Sequence, residues 1–309
     1  MNLRLSILDQ SPIPAGATPA HALAATLDLA RVADTLGYHR YWVAEHHNSP
    51  SFAGTSPEIL AATLLDRTQN LRVGTGGVLL PRYSALKVAE DFRLLTYLHP
   101  GRVDLGIGRA GGIADHFPEQ VRDLLHHLAK PCDGYTPPPV WLLGAGTSSA
   151  GLAAELGTHF SYAHFLNPRL GGAAFDALRR GARSNDPIGA SLAVRVITAD
   201  TEAKAAELAT SYLLWRSRKD LGHDEPIPSP SAARAHRWTG DEAQRAAHNR
   251  RAVIVGEPEQ VHTALNTLAQ TYGVDELVIN TITHHPTDRL RSYELLSELF
   301  LTPAPIALR

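Results

Sequence analysis

The run most able to do chemistry is Glu45-His46-His47. An imidazole accepts or donates a proton near neutral pH with little tuning. The run closes Arg40-Tyr41-Trp42-Val43-Ala44, an apolar, aromatic, β-prone stretch that ends abruptly in a carboxylate and two imidazoles. That pattern predicts a buried strand carrying acid and base groups to its C-terminal tip, where active sites form in parallel α/β barrels. The bland alternative is a histidine pair that caps the strand or packs beneath a loop.

Three glycine-containing stretches come next. Gly74-Thr75-Gly76-Gly77 lies inside a predicted strand, where glycine marks a bulge, a ligand meeting bare backbone, or a twist needed to close a barrel. Gly106-Ile107-Gly108-Arg109-Ala110-Gly111 matches G-x-G-x-x-G, but another glycine follows instead of a helix, so it is a poor dinucleotide fingerprint. Arg109 is the better candidate there: a fixed cation at a strand tip suits a phosphate, or else a surface ion pair. Gly144-Ala145-Gly146-Thr147-Ser148-Ser149 precedes a helix, and free N–H groups with nearby hydroxyls make an anion site. Ordinary capping by Ser148 or Ser149 is the alternative. With Arg109 one strand earlier, a phosphate-bearing ligand is the better reading. Among the 16 histidines, His164, His284 and His285 fall near strand tips, yet the first strand lacks His-x-His and the last lacks a terminal carboxylate. No metal is expected.

The elements that must position these groups alternate. Strands are predicted at 3–8, 40–47, 71–80, 102–108, 140–143, 160–166, 191–198 and 276–281. Helices are predicted at 19–36, 57–67, 84–98, 117–128, 149–156, 169–180, 202–218, 258–272 and 289–301. Residues 220–249, rich in Pro, Ser, His and charge, read as a long excursion or mobile loop after the seventh strand. Eight β/α units without a composition break predict one (β/α)8 TIM barrel over 1–309, with a doubly wound sheet as runner-up. The 309 residues carry a net charge of −2, which offers nothing to nucleic acid or a membrane surface. One cysteine, Cys132, excludes an internal disulfide framework. With no leader and no membrane-length apolar run, a soluble cytoplasmic protein is expected.

Taken together, the motifs resemble the bacterial luciferase-like flavin monooxygenases, on their non-luminescent branch. The resemblance rests on Trp42-Val43-Ala44-Glu45-His46-His47, on the stretch 73–81, on Val88-Ala89-Glu90-Asp91 and on 99–109. It extends through Trp141-Leu142-Leu143-Gly144, Ala153-Ala154-Glu155-Leu156-Gly157, Ala163-His164-Phe165 and Arg291-Ser292-Tyr293-Glu294. It covers nearly the whole chain in order.

The resemblance implies a luciferase-like barrel that binds reduced FMN (FMNH2) at its C-terminal face. It places His46 at the catalytic histidine, Gly76-Gly77 at a non-proline cis peptide beneath the flavin ring, and Arg109 on the phosphate. Ala145, Gly146 and Ser149 fall on the remaining phosphate positions, where the family has Glu-Ser for the first two. Gly108 stands where luciferases have a cysteine. A segment after Gly112 is shortened to Ile113-Ala114-Asp115-His116, so either the site is more open there or 220–249 covers it. The implied activity is a two-component monooxygenase using FMNH2 and O2 through a flavin C4a-hydroperoxide, with a separate flavin reductase. The implied assembly is a homodimer. Natural-product tailoring is one setting for such an enzyme. The alternatives are deazaflavin-dependent hydride transfer, a non-catalytic flavin-binding partner subunit, and a metal hydrolase.

Overall fold

The computed structural model describes residues 3–110, 115–130, 134, 136–181 and 188–301. Its strands are β1 (Arg4–Asp9), β2 (Arg40–Val43), β3 (Arg72–Thr75), β4 (Val78–Leu79), β5 (Val103–Gly108), β6 (Val140–Gly144), β7 (His159–Ala163), β8 (Ala190–Thr198), β9 (Val253–Gly256) and β10 (Glu276–Asn280). The pairings β1–β2–β3–β5–β6–β7–β8–β10 are all parallel, and β10 returns to β1, so eight strands close a barrel. This is the (β/α)8 fold expected from the alternation. Parallel neighbours need crossovers, and helices supply them on the outside. They include α1 (Pro19–Leu36), α2 (Pro57–Arg67), α3 (Ala85–Leu98), α4 (Phe117–Leu128), α5 (Thr147–Leu156), α6 (Gly171–Gly181) and α7 (Glu202–Asp220). Local sequence sets their ends. Thr18 accepts from the His21 N–H before Pro19, and Gly37 stops α1 at φ 85°.

Two apolar layers hold the barrel. Strand residues facing outward, such as Ile7, Tyr41, Val73 and Leu105, pack against the helices. Inward-facing Leu8, Trp42, Ala44, Trp141, Ala193 and Val278 form a separate inner cluster. Below it, at the N-terminal ends of the strands, Arg40 binds Asp104 at 2.7 Å and Glu276 at 2.6 Å, and Arg72 binds Asp104 at 2.6 Å. The inner cluster and this ionic floor plug the barrel, leaving the C-terminal mouth as its open end.

Three expectations need correction. The predicted strand 71–80 is interrupted: β3 stops at Thr75, the Gly76-Gly77 peptide is cis, and β4 resumes at Val78. Val73 lies opposite Val103 but Val78 lies opposite Ile107, so this side carries one extra residue, a β-bulge. Second, 220–249 is structured. It holds α8 (Pro230–Ala235) and α9 (Gly240–Asn249), the latter begun by a Thr239/Glu242 capping box. Third, β9 is an additional strand: it extends the ladder along β8 from Arg195 to Thr198, while β10 pairs Leu192 to Arg195. Two further helices, α10 (Pro258–Tyr272) and α11 (Pro286–Phe300), complete the ring. No helix among the described residues is long and apolar enough to cross a membrane.

Candidate active site

A cavity of about 500 Å³ opens at the C-terminal mouth. Its size lies within the range of small-molecule and cofactor sites. His46, Gly76 and Gly77 all line it, so the structure brings together groups 30 residues apart in the chain. Glu45-His46-His47 begins two residues beyond the end of β2 rather than on the strand itself. Sheet-like bonds nevertheless carry the direction onward: the Ala44 N–H donates to Asp9 O (2.9 Å) and Gly76 N–H to Val43 O (2.8 Å).

The three residues of the run have different fates. Glu45 is buried and fully engaged. Its carboxylate meets His47 Nε2 at 2.5 Å, the Leu79 N–H at 2.8 Å and the Tyr83 hydroxyl at 2.6 Å, which ties the β2 tip to β4. His46 remains for chemistry. Its ring lies on Phe52, centroids 4.1 Å apart, and its backbone N–H donates to Gly54 O at 2.8 Å. Burial, then the nearby Lys219 ammonium, pushes its pKa down to about 4, so the ring is neutral at pH 7.

Two residues that the sequence reading missed decide its tautomer. Arg195 Nη2 donates to Gln10 Oε1 at 3.1 Å, which turns the Gln10 amide nitrogen toward His46 Nε2 at 3.2 Å. Nε2 therefore accepts, and the ring hydrogen sits on Nδ1. Nδ1 is buried and has no hydrogen-bond partner among the described residues. Signals for both residues existed: Gln10 follows an apolar strand, as His46 does, and Arg195 interrupts Ala193-Val194 and Val196-Ile197.

The wall formed by the Gly76-Gly77 peptide, β5 and β6 is rich in glycine. Gly76, Gly77, Gly108 and Gly144 present backbone to the cavity. A Cβ on Gly108 would find only Leu79 Cδ2, at 3.8 Å, and would project into the opening. Gly76 and Gly77 also answer to packing, since added Cβ atoms there would strike Leu8 and Leu143 at 2.6 and 2.7 Å. Such a wall accepts a flat ring at van der Waals distance.

The phosphate candidates sit at the rim of this wall. Gly108 and Ala110 line the cavity, whereas Arg109 between them is exposed and unpaired among the described residues. Gly144 lines it as well; Ala145, Gly146 and Ser149 lie just beyond, in the turn that opens α5. Gly146 is the N-cap with no side-chain cap bond, so first-turn N–H groups of α5 are available to an anion. Ser149 packs against Gly144, where a Cβ would overlap it.

Other candidates separate from the site. His164 is buried edge-on to Tyr272, and His284 bonds Ile227 O at 2.9 Å. No group of three or more metal-binding side chains occurs among the described residues. Residues 113 and 114 of the shortened segment, and Cys132, lie outside the described residues. The stretch 220–249 does not line the cavity: Asp224 to Ile227 bonds Ser49, Ser51 and the chain after β1, and Asp220, Arg245 and His248 line a neighbouring cavity that shares Phe165, Leu166 and Arg216 with it. These are the His46 and Phe165 sides, not the β5 side. The last turns of α7 supply the wall there through Trp215, Arg216 and Lys219.

Comparison with known proteins gives one answer along the chain. The family model described as luciferase-like monooxygenase matches residues 3–119 and 114–276. The Bacillus subtilis protein YwcH is 42% identical over 329 residues, covering 96% of this chain and 98% of YwcH. The N-acetyl-S-alkylcysteine monooxygenase of Bacillus subtilis is 34% identical, covering 97% and 98%. The crystal structure of apo-MsnO8 superposes with a TM-score of 0.89 at 37% identity, covering 98% of this chain and 100% of that one.

Proposed function

The chain belongs to the luciferase-like monooxygenase family, and on that premise we propose that its mouth cavity binds reduced FMN and uses O2 to oxidise a small organic substrate. The observation that carries this reading is the pairing, in one cavity, of a bare glycine wall with a neutral, tautomer-fixed histidine. Bound reduced FMN supplies two electrons, so that one oxygen atom enters the substrate and the other leaves as water.

The residues have separable tasks. The backbone at Gly76, Gly77 and Gly108 lets the ring lie flat. Arg109 and the α5 N-terminus, through Ala145, Gly146 and Ser149, hold the phosphate, with backbone N–H groups carrying most of that contact. Trp42, Phe52, Leu143 and Phe165 give the cavity apolar walls, which exclude water from the reacting atoms. His46 takes a proton at Nε2 once Gln10 releases it, while the ring hydrogen stays on the buried Nδ1. Nothing in the chain reads as a nicotinamide site, so a separate reductase delivers the flavin. Exposed Leu94 and Leu98, one turn apart on α3, and Ile59 on α2 offer apolar surface to a homodimer, which sedimentation would register as twice the chain mass.

The test is to mix the anaerobic protein with FMNH2, confirm a stoichiometric complex, then add O2 and follow flavin absorbance. Reoxidation slower than that of free FMNH2 supports the proposal. Failure to bind FMNH2, or rapid NADH oxidation by the protein alone, overturns it. With a deazaflavin enzyme FMNH2 would reoxidise at the rate of the free flavin in the same experiment.

A further inference from the structure

Arg195 is the cavity's unmatched charge. It is 3% exposed, lies on β8 and lines the mouth. Its donors reach Asn280 Oδ1 at 2.8 Å, the Tyr212 hydroxyl at 2.6 Å and Gln10 Oε1 at 3.1 Å. All three partners are neutral. A guanidinium has five N–H groups, so two remain after these bonds. The rings of Phe165 and Tyr212 flank its plane at 4.8 and 5.0 Å, which fixes the fork without neutralising it.

The other buried arginines are treated differently. Arg40 meets Asp104 and Glu276, and Arg289 meets Asp9 at 2.8 Å. Buried charges are ordinarily paired in this way, because desolvating a lone ion is costly. Among the described residues, the mouth has no acid to spare for Arg195. Glu45 is committed to His47, Leu79 and Tyr83. Lys219 and Arg216, the neighbouring cations on α7, already hold Asp224 and Asp220, each at 2.6 Å.

We propose that Arg195 anchors an anionic group of the substrate, a carboxylate or similar oxyanion, so that the enzyme acts on molecules with one anionic end and an otherwise apolar body. This rests on the oxygen-transfer reading of the cavity. In the closed ring of eight strands, β8 lies four steps from β3 in either direction. Arg195 therefore faces the Gly76-Gly77 wall across the mouth. A ring lying on that wall leaves the space in front of Arg195 to the second molecule. The anion sites fitted to a flavin phosphate, at Arg109 and the start of α5, belong to β5 and β6 instead. The apolar body has partners in Leu8, Trp42, Phe52, Leu143, Phe165 and Val278. Arg195 also holds Gln10, and Gln10 holds His46, so the anchored end is coupled to the group that handles protons.

The test uses octanoate and its neutral isostere octanamide, titrated without flavin and followed by the fluorescence of Trp42 and Trp215, which both line the cavity. A charge-assisted bond amounts to about 1.5 to 3 kcal/mol, so octanoate should bind about tenfold or more tighter than octanamide. Arg195→Met should abolish that preference while octanamide binding and FMNH2 affinity stay within about twofold. Arg195→Lys, which keeps the charge without the fork, should retain part of it. Equal binding of the two probes by the wild type overturns the proposal, and that comparison needs no variant to fold. It is also overturned if Arg195→Met weakens FMNH2 and leaves octanoate unaffected, since the anion would then be the flavin's. Because the probes are titrated without flavin, octanoate preference with no FMNH2 binding would instead count against the cofactor reading alone.

Discussion

The two ends of this barrel use the same side chains to opposite effect. At the floor, Arg40 and Arg72 face Asp104 and Glu276, and Ser6 and Trp42 donate to the same carboxylates at 2.6 and 3.2 Å. Two cations meet two anions, and neutral donors take up further valences of the acids. At the mouth, Arg195 meets only neutral oxygens, and His46 keeps an unpartnered Nδ1. A closed polar network rigidifies a core, whereas a partly open one is stable only where something else completes it. The floor is therefore a closed network and the mouth an open one, even though both are buried and both are built on arginine.

The largest expected effect lies at the open end. His46→Ala should lower substrate oxidation about 10²- to 10⁴-fold, the usual worth of a positioned acid–base group. Oxygen consumption coupled to product analysis measures it, and FMNH2 affinity should be retained. Unchanged turnover would remove His46 from the chemistry, and no turnover by the wild type would return the chain to the reading of a flavin-binding partner subunit.

The next effect lies at the closed end. Asp104→Ala strips Arg40 and Arg72 of a shared carboxylate and should cost about 3 to 5 kcal/mol in urea unfolding. Arg195→Met removes a buried charge with no counter-ion, so lost hydrogen bonds and relieved desolvation offset each other to within about 1 kcal/mol. Equal destabilisation by both substitutions would erase the distinction between floor and mouth.

Acid titration sharpens it further. The pKa of His46 falls from 6.5 to about 4 on folding, with burial the main cause. The unfolded chain then binds more protons than the folded one in that window, so stability falls as pH drops from 6.5 toward 4. The contribution reaches up to about 3 kcal/mol at the acid end. His39, His159 and His164 are shifted the same way by burial, so the measurement is the difference between wild type and His46→Gln. The variant should show the shallower acid limb.

Much of this was legible in the sequence because strands in a parallel barrel are buried on both faces and read as apolar runs between glycine and proline punctuation. The abrupt end of Tyr41-Trp42-Val43 exposed His46, and the glycines at 76 and 77 marked the bare wall. The strand at 253–256 escaped because Val253-Ile254-Val255 follows a polar stretch and stands next to Gly256 and a helix. The helix at 240–249 was masked by its charge, although Thr239 and Glu242 stand at capping-box spacing. Gln10 and Arg195 are a different matter. They are 185 residues apart, and only the closure of β8 through β10 onto β1 brings them together. No local pattern encodes a register set by the last strand of a barrel.

The smallest expected effect comes from giving the mouth the floor's chemistry. In Gln10→Glu a carboxylate would stand where Gln10 Oε1 accepts from Arg195, so the guanidinium would gain the counter-ion it lacks. The same carboxylate would face His46 Nε2, where the wild type offers an amide donor. A donor to Nε2 favours the neutral ring, and an anion there favours the protonated one. The His46 pKa should therefore rise from about 4 toward its ordinary value, read by NMR titration of the ring Cε1–H. Stability at pH 7 should change by no more than about 1 kcal/mol, because the new attraction is set against desolvation of a second ion. Octanoate should lose its advantage over octanamide, since Arg195 would already be satisfied. A pKa left near 4 would mean that burial alone governs His46, and that the link from Arg195 through Gln10 orients the ring without tuning it.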